Sequence, residues 1–94
     1  MEERKKGIVI PQDKLSNDAV SGLIEEFILR EGTDYGNREY SLDEKKEHIL
    51  KQLKSRRILI LFDPQIENTT LLTVDQVKKL SLQNYDILGL PEAL

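Results

Sequence analysis

The sequence predicts an α+β fold in which two amphipathic helices pack on a small antiparallel sheet, in the order β-α-α-β-β with a short C-terminal helix or tail. Three observations predict it. Two stretches repeat apolar residues at three- and four-residue steps behind a serine suited to capping. A continuous apolar run from Ile58 to Phe62 stops at Asp63-Pro64, and a β-branched run from Ile8 to Ile10 stops at Pro11. Ninety-four residues make one domain. A chain of this length buries about two thirds of the surface its unfolded form exposes, so each large apolar side chain matters.

Ile8 to Ile10 is the first strand, and Pro11, which lacks an N–H, suits a strand end or an edge strand. Leu15, Ala19, Val20, Leu23, Ile24, Phe27 and Ile28 then define the apolar face of a first helix. Ser16 is placed to cap it and Leu15 to staple against Val20. Gly32 can take the left-handed conformation that ends helices, which puts Glu31 near the C-terminus. The second helix starts at Ser41, with Glu44 three residues on completing a capping box, and carries Leu42, Ile49, Leu50 and Leu53 on one face. Lys46 falls inside that apolar arc, so its stem is expected along the core rim.

The run from Ile58 to Phe62 does not alternate, which marks a strand buried on both faces. Thr69 to Val74 follows as its hairpin partner, and Asp75 can cap a short helix running to Lys79 or Leu80. Two helices cover one face of such a sheet, leaving Leu59 and Leu61, or the opposite set, in need of cover. Leu80, Leu82, Ile87, Leu88 and Leu90 of the tail are candidates. If they do not fold back, the chain is expected to form a homodimer through the uncovered face, and otherwise a monomer. The organisation read from these signals is a charged arm over 1–7, one domain over 8–80 and an extension over 81–94.

Composition removes several function classes. With no Cys there is no thiol nucleophile and no cysteine zinc site, and the single His48 excludes any site needing two imidazoles. No stretch reaches the roughly 20 apolar residues of a membrane-spanning helix, and no signal-peptide pattern is present, so a cytoplasmic protein with no membrane partner is expected. His48 lies opposite the apolar face of the second helix and reads as a surface histidine. No nucleophile with a positioned base, no phosphate loop and no patterned calcium loop appears, so no catalytic residue, metal ligand or cofactor is assigned.

Two regions remain as candidate sites. Arg30, Glu31, Gly32, Thr33, Asp34, Tyr35 and Gly36 form a polar link between the helices, with two glycines free to take positive φ and a tyrosine offering a hydroxyl on an apolar ring. Glu31 falls on the apolar side of its helix, where a half-buried carboxylate wants a donor from Thr33, Tyr35 or the backbone. The plainer reading is a helix connector held by its own hydrogen bonds; the functional one takes Arg30, Glu31, Thr33, Asp34 and Tyr35 as partner contacts. The second region is basic. Residues 18–44 carry eight acidic side chains against two basic, whereas 45–57 carry six basic against one acidic. Lys45, Lys51, Lys54, Arg56 and Arg57 could meet nucleic-acid phosphates, but the segment lacks interleaved aromatics and the sequence pI is near 5.2. A solvated face matched to the helix dipole is the favoured reading.

Ile10-Pro11, the stretch from Leu23 through Arg30-Glu31-Gly32-Thr33-Asp34-Tyr35-Gly36, Ser41-Leu42-Asp43-Glu44-Lys45, Gln52-Leu53 and Ile58 to Asp63 together resemble the YheU family of small bacterial proteins over about residues 8 to 80. The resemblance implies two helices on a small antiparallel sheet and implies no activity. Two departures stand out: family members usually carry an apolar residue where Lys46 stands and a glycine near Arg56. The expectation is therefore a non-enzymatic interaction module presenting residues 30–36 to a protein partner. The alternatives are an RNA- or DNA-binding accessory protein using the basic helix, and a small enzyme with Glu31 or Asp34 as general base.

Overall fold

The computed structural model describes residues 5–32 and 40–91. The elements are β1 (Lys5–Ile10), a single 3-10 turn (Gln12–Lys14), α1 (Asn17–Glu31), α2 (Leu42–Lys54), β2 (Ile58–Asp63), β3 (Asn68–Thr73), α3 (Val74–Ser81) and β4 (Tyr85–Leu88). The chain is α+β with a four-stranded sheet in the order β3-β2-β1-β4.

The helix ends form where local chemistry dictates. The Ser16 side chain accepts from the Ala19 N–H at the start of α1, and Gly32, at φ 57°, closes it in the left-handed region. At α2 the Ser41 hydroxyl accepts from Glu44 N and the Glu44 carboxylate accepts from Ser41 N, a complete capping box. Thr73, not Asp75, caps α3, with Gln76 as its reciprocal partner. The ladder of β3 runs to Thr73 opposite Ile58, so the helix begins at the next residue and Asp75 already lies within its first turn.

β2 pairs antiparallel with both β1 and β3, and its four leading residues, Ile58 to Leu61, are all buried as expected of a central strand. By alternation Ile58 and Ile60 face one side, and with Val20, Ile24, Phe27, Ile28, Ile49, Leu53 and Leu71 they make the main core under α1 and α2. Side chains buried this completely contribute roughly 1.5–3 kcal/mol each. Leu42, expected on that face, is 52% exposed in the first turn of α2.

Two expectations are corrected. The sheet is mixed rather than antiparallel, since β4 pairs parallel with β1, Lys5 opposite Tyr85 and Ile8 opposite Leu88. Residues 5–7, expected in a charged arm, are therefore strand, and β1 is an inner strand that Pro11 merely ends. The second face receives the cover expected from the C-terminal part of the chain. β3 and β4 occupy opposite edges, so α3, which touches both, crosses the sheet between them. Leu59 and Leu61, on the face opposite the main cluster by alternation, and Val77 of α3 are all buried outside that cluster. Gly7 suits this packing, since a Cβ there would stand 2.9 Å from Leu61 Cδ1. Of the expected covering residues, Leu80 and Ile87 are half-buried, while Leu82, Leu88 and Leu90 remain exposed.

Candidate functional site

At the C-terminal end of α1, two neighbouring side chains reach across the edge strand β3. Arg30 Nη1 donates to the Thr70 hydroxyl at 2.7 Å and Nη2 donates to the Leu71 carbonyl oxygen, while the guanidinium stands 5.3 Å from the centre of the Phe27 ring. Glu31 accepts from Gln76 Nε2 at 2.6 Å and lies 3.7 Å from Arg30. Thr70 and Leu71 point to opposite faces of β3, so Arg30 wraps the edge from the α1 side toward the α3 side. Gln76 Oε1 accepts from Thr73 N, so one amide caps α3 and ties it to α1. A planar fork with fixed donors is suited to this double engagement.

The partner role expected of Arg30 and Glu31 is thus modified: both are occupied within the fold. The donor to Glu31 is Gln76, a side chain outside the link, and the sequence offered no signal for a contact 45 residues away. Thr33, Asp34, Tyr35 and Gly36 lie outside the described residues.

The basic region divides. Lys45 is half-buried in the N-terminal half of α2, whereas Lys51, Lys54, Arg56 and Arg57 are exposed at its far end. There Ser55 N bonds Lys51 O, Arg56 N bonds Leu53 O, and Arg57 N and the Ser55 hydroxyl both bond Gln52 O, so these three carbonyls are satisfied without a cationic side chain. Arg56 takes φ 62° at the position where glycine normally sits. A side chain in that conformation costs roughly 1–2 kcal/mol. Lys54 and Arg56 border a hollow of about 490 Å³ at the end of the sheet, against Ile10, Pro11, Leu59 and Gly89. A second hollow, about 410 Å³, lies between α1 and α2 against Val20, Ile24 and Leu50. Lys46, also on its wall, donates to Ser21 Oγ at 2.8 Å and pairs with Glu25 at 2.7 Å, which explains how a lysine is accommodated within the apolar arc.

Elsewhere, His48 is half-buried with its ring edge-on to Tyr40, centroids 5.3 Å apart, rather than freely exposed. The Tyr85 hydroxyl donates to Asp63 Oδ2 at 2.7 Å and Gln65 N donates to Oδ1 at 2.9 Å. The tyrosine bond holds the Asp63 carboxyl below its ordinary range against opposing desolvation, with backbone donors and the Lys5 charge adding to it. The same bond holds the Tyr85 phenol above its ordinary value, with burial adding to the shift. Among the described residues no group of three or more His, Cys, Asp or Glu is arranged to hold a metal ion, and no helix is long and apolar enough to cross a membrane.

Comparison with known proteins converges on one family. The model of an uncharacterised protein family, UPF0270, matches residues 8–76. The UPF0270 protein PM1156 of Pasteurella multocida (strain Pm70) is 40% identical over 55 residues, which span 58% of this chain and 76% of the relative. β4 lies wholly beyond the matched residues. The YheU resemblance points to this same family, and the chain belongs to UPF0270.

Proposed function

We propose that the chain is a cytoplasmic, non-enzymatic interaction module that offers the link following α1 to a protein partner. The observation that carries this reading is the bracing of the link's base. α1 is already terminated by Gly32, whose N–H bonds Ile28 O, so ending the helix does not require Arg30 to bind β3 or Glu31 to bind Gln76. What these bonds add is a fixed position for the end of α1, from which the link departs. Asp34 and Tyr35 supply the contact chemistry, and Arg30 and Glu31 supply its foundation.

The test is quantitative partner capture with wild type and with the double variant Asp34→Ala, Tyr35→Ala. The variant should lose the captured protein at unchanged melting temperature; recovery of the same proteins by both would overturn the reading. A second reading, nucleic-acid binding, is favoured by Lys51, Lys54, Arg56 and Arg57 standing together with no acidic residue from 48 to 62. It requires affinity for an oligonucleotide that falls steeply with ionic strength, and no binding at low salt would remove it.

A further inference from the structure

The hollow at the end of α2 is shaped and charged for a ligand of its own. Its lining is about half apolar, with the partly exposed Ile10, Pro11 and Pro91 in front of the buried Leu53 and Leu59. Lys54 and Arg56 stand on its rim with Gln12 and one acid, Asp13. Neither cation has a side-chain hydrogen bond or an ion pair among the described residues. Nor do the Lys51, Gln52 and Leu53 carbonyls of α2 need either as a cap, because backbone N–H groups and the Ser55 hydroxyl already serve them. Arg56 moreover occupies a left-handed position that glycine would fill without strain, and what glycine would lack is the guanidinium.

We propose that this hollow binds a small amphiphilic anion: one carboxylate or phosphate head held between Lys54 and Arg56, on an apolar body received by the walls. The volume lies within the range of small-molecule sites, and the Arg fork can engage either head with two parallel N–H donors. A polynucleotide would use the same cations but leave the apolar part of the lining empty, so the proposal is separate from the nucleic-acid reading of this end.

Amide chemical-shift titration of the whole chain with octanoate and octyl phosphate tests it, with octanol, inorganic phosphate and a short oligonucleotide as comparisons. At least one of the two amphiphilic anions should shift amides of Ile10, Gln12, Arg56 to Ile58 and Gly89, and the preferred head identifies the ligand class. Octanol and inorganic phosphate should each bind at least about tenfold more weakly, since one lacks the charge and the other the apolar body. Arg56→Gly should weaken binding of the preferred anion by about tenfold while raising Tm by roughly 5 °C, which separates lost recognition from lost folding. Lys54→Met, away from the strained position, should weaken it similarly. Octanol binding as tightly as the anions, an unchanged affinity in both variants, or shifts produced by the oligonucleotide alone would overturn the proposal.

Discussion

At the end of α1 the left-handed residue is Gly32, and at the end of α2 it is Arg56. The first end follows the local rule and uses its arginine internally: Arg30 is spent on Thr70, Leu71 and the Phe27 ring. The second end breaks the rule and leaves its cations without internal partners among the described residues. One terminus is built for architecture and the other retains a strained residue whose charge no described residue engages. Local rules are most often broken where something other than stability is being served, and that contrast directs attention to α2.

The sharpest way to break the comparison is to remove the arginine at the architectural end. Arg30→Ala loses two charge-assisted bonds to β3 and a ring contact, and leaves the Leu71 carbonyl without this donor. Urea denaturation should show a loss of about 2 kcal/mol, discounted for the partial exposure of the side chain. Arg30→Lys should restore less than half, because a single ammonium cannot reproduce the fork. A loss below about 0.5 kcal/mol would mean that the edge is held without Arg30 and that the two helix ends are not different in kind.

Next in size is a reciprocal pair. Gly32→Ala should destabilise by about 1 kcal/mol, since no atom of the described residues crowds the new Cβ and the backbone conformation is penalised. Arg56→Gly should stabilise by a similar amount, about 1 kcal/mol, through the same physics in reverse. Thermal unfolding of both variants checks the signs. If Arg56→Gly is neutral or destabilising, the arginine contributes to the fold and the contrast between the ends collapses.

How much of this was legible in the sequence follows the range of each interaction. Ser16, Gly32 and the Ser41–Glu44 box act within four residues, and all three are found where the spacing placed them. The double burial of Ile58 to Leu61 was legible from an unbroken apolar run. β4 was not, because Tyr85 to Leu88 is too short to carry a period and its ladder partner, β1, lies at the other end of the chain. Thr73 and Asp75 are both capping types, and only the extent of the β2–β3 ladder decides between them. The roles of Arg30 and Glu31 depend on acceptors and donors 40 to 45 residues away, beyond any helical wheel. The Arg56 strain lay half-visible in the glycine that the resembled family usually carries near this residue, but the hollow beside it needed β1, β2 and β4 to be assembled first.

The smallest expected effect compares the two margins of the sheet. At the β3 margin Arg30 binds a hydroxyl and a carbonyl, acceptors that do not titrate in the acid range. Near the β4 margin the Tyr85–Asp63 bond joins two groups that do. Asp63 is held below its ordinary value, so its contribution is present above that value and is lost as pH falls through the lowered folded pKa. Tyr85 is held above its ordinary value, so its share is complete below that value and disappears as pH rises through the raised folded pKa. The stability difference between wild type and Tyr85→Phe should therefore be flat across neutral pH and shrink toward both extremes. The difference between wild type and Arg30→Ala should show a smaller acid loss, since both hydrogen bonds go to neutral acceptors and only the 3.7 Å contact with Glu31 involves a carboxylate. Equal acid sensitivity in the two differences would show that the margins are coupled through a shared titrating group, and the architectural end would then be less self-contained than its neutral acceptors imply.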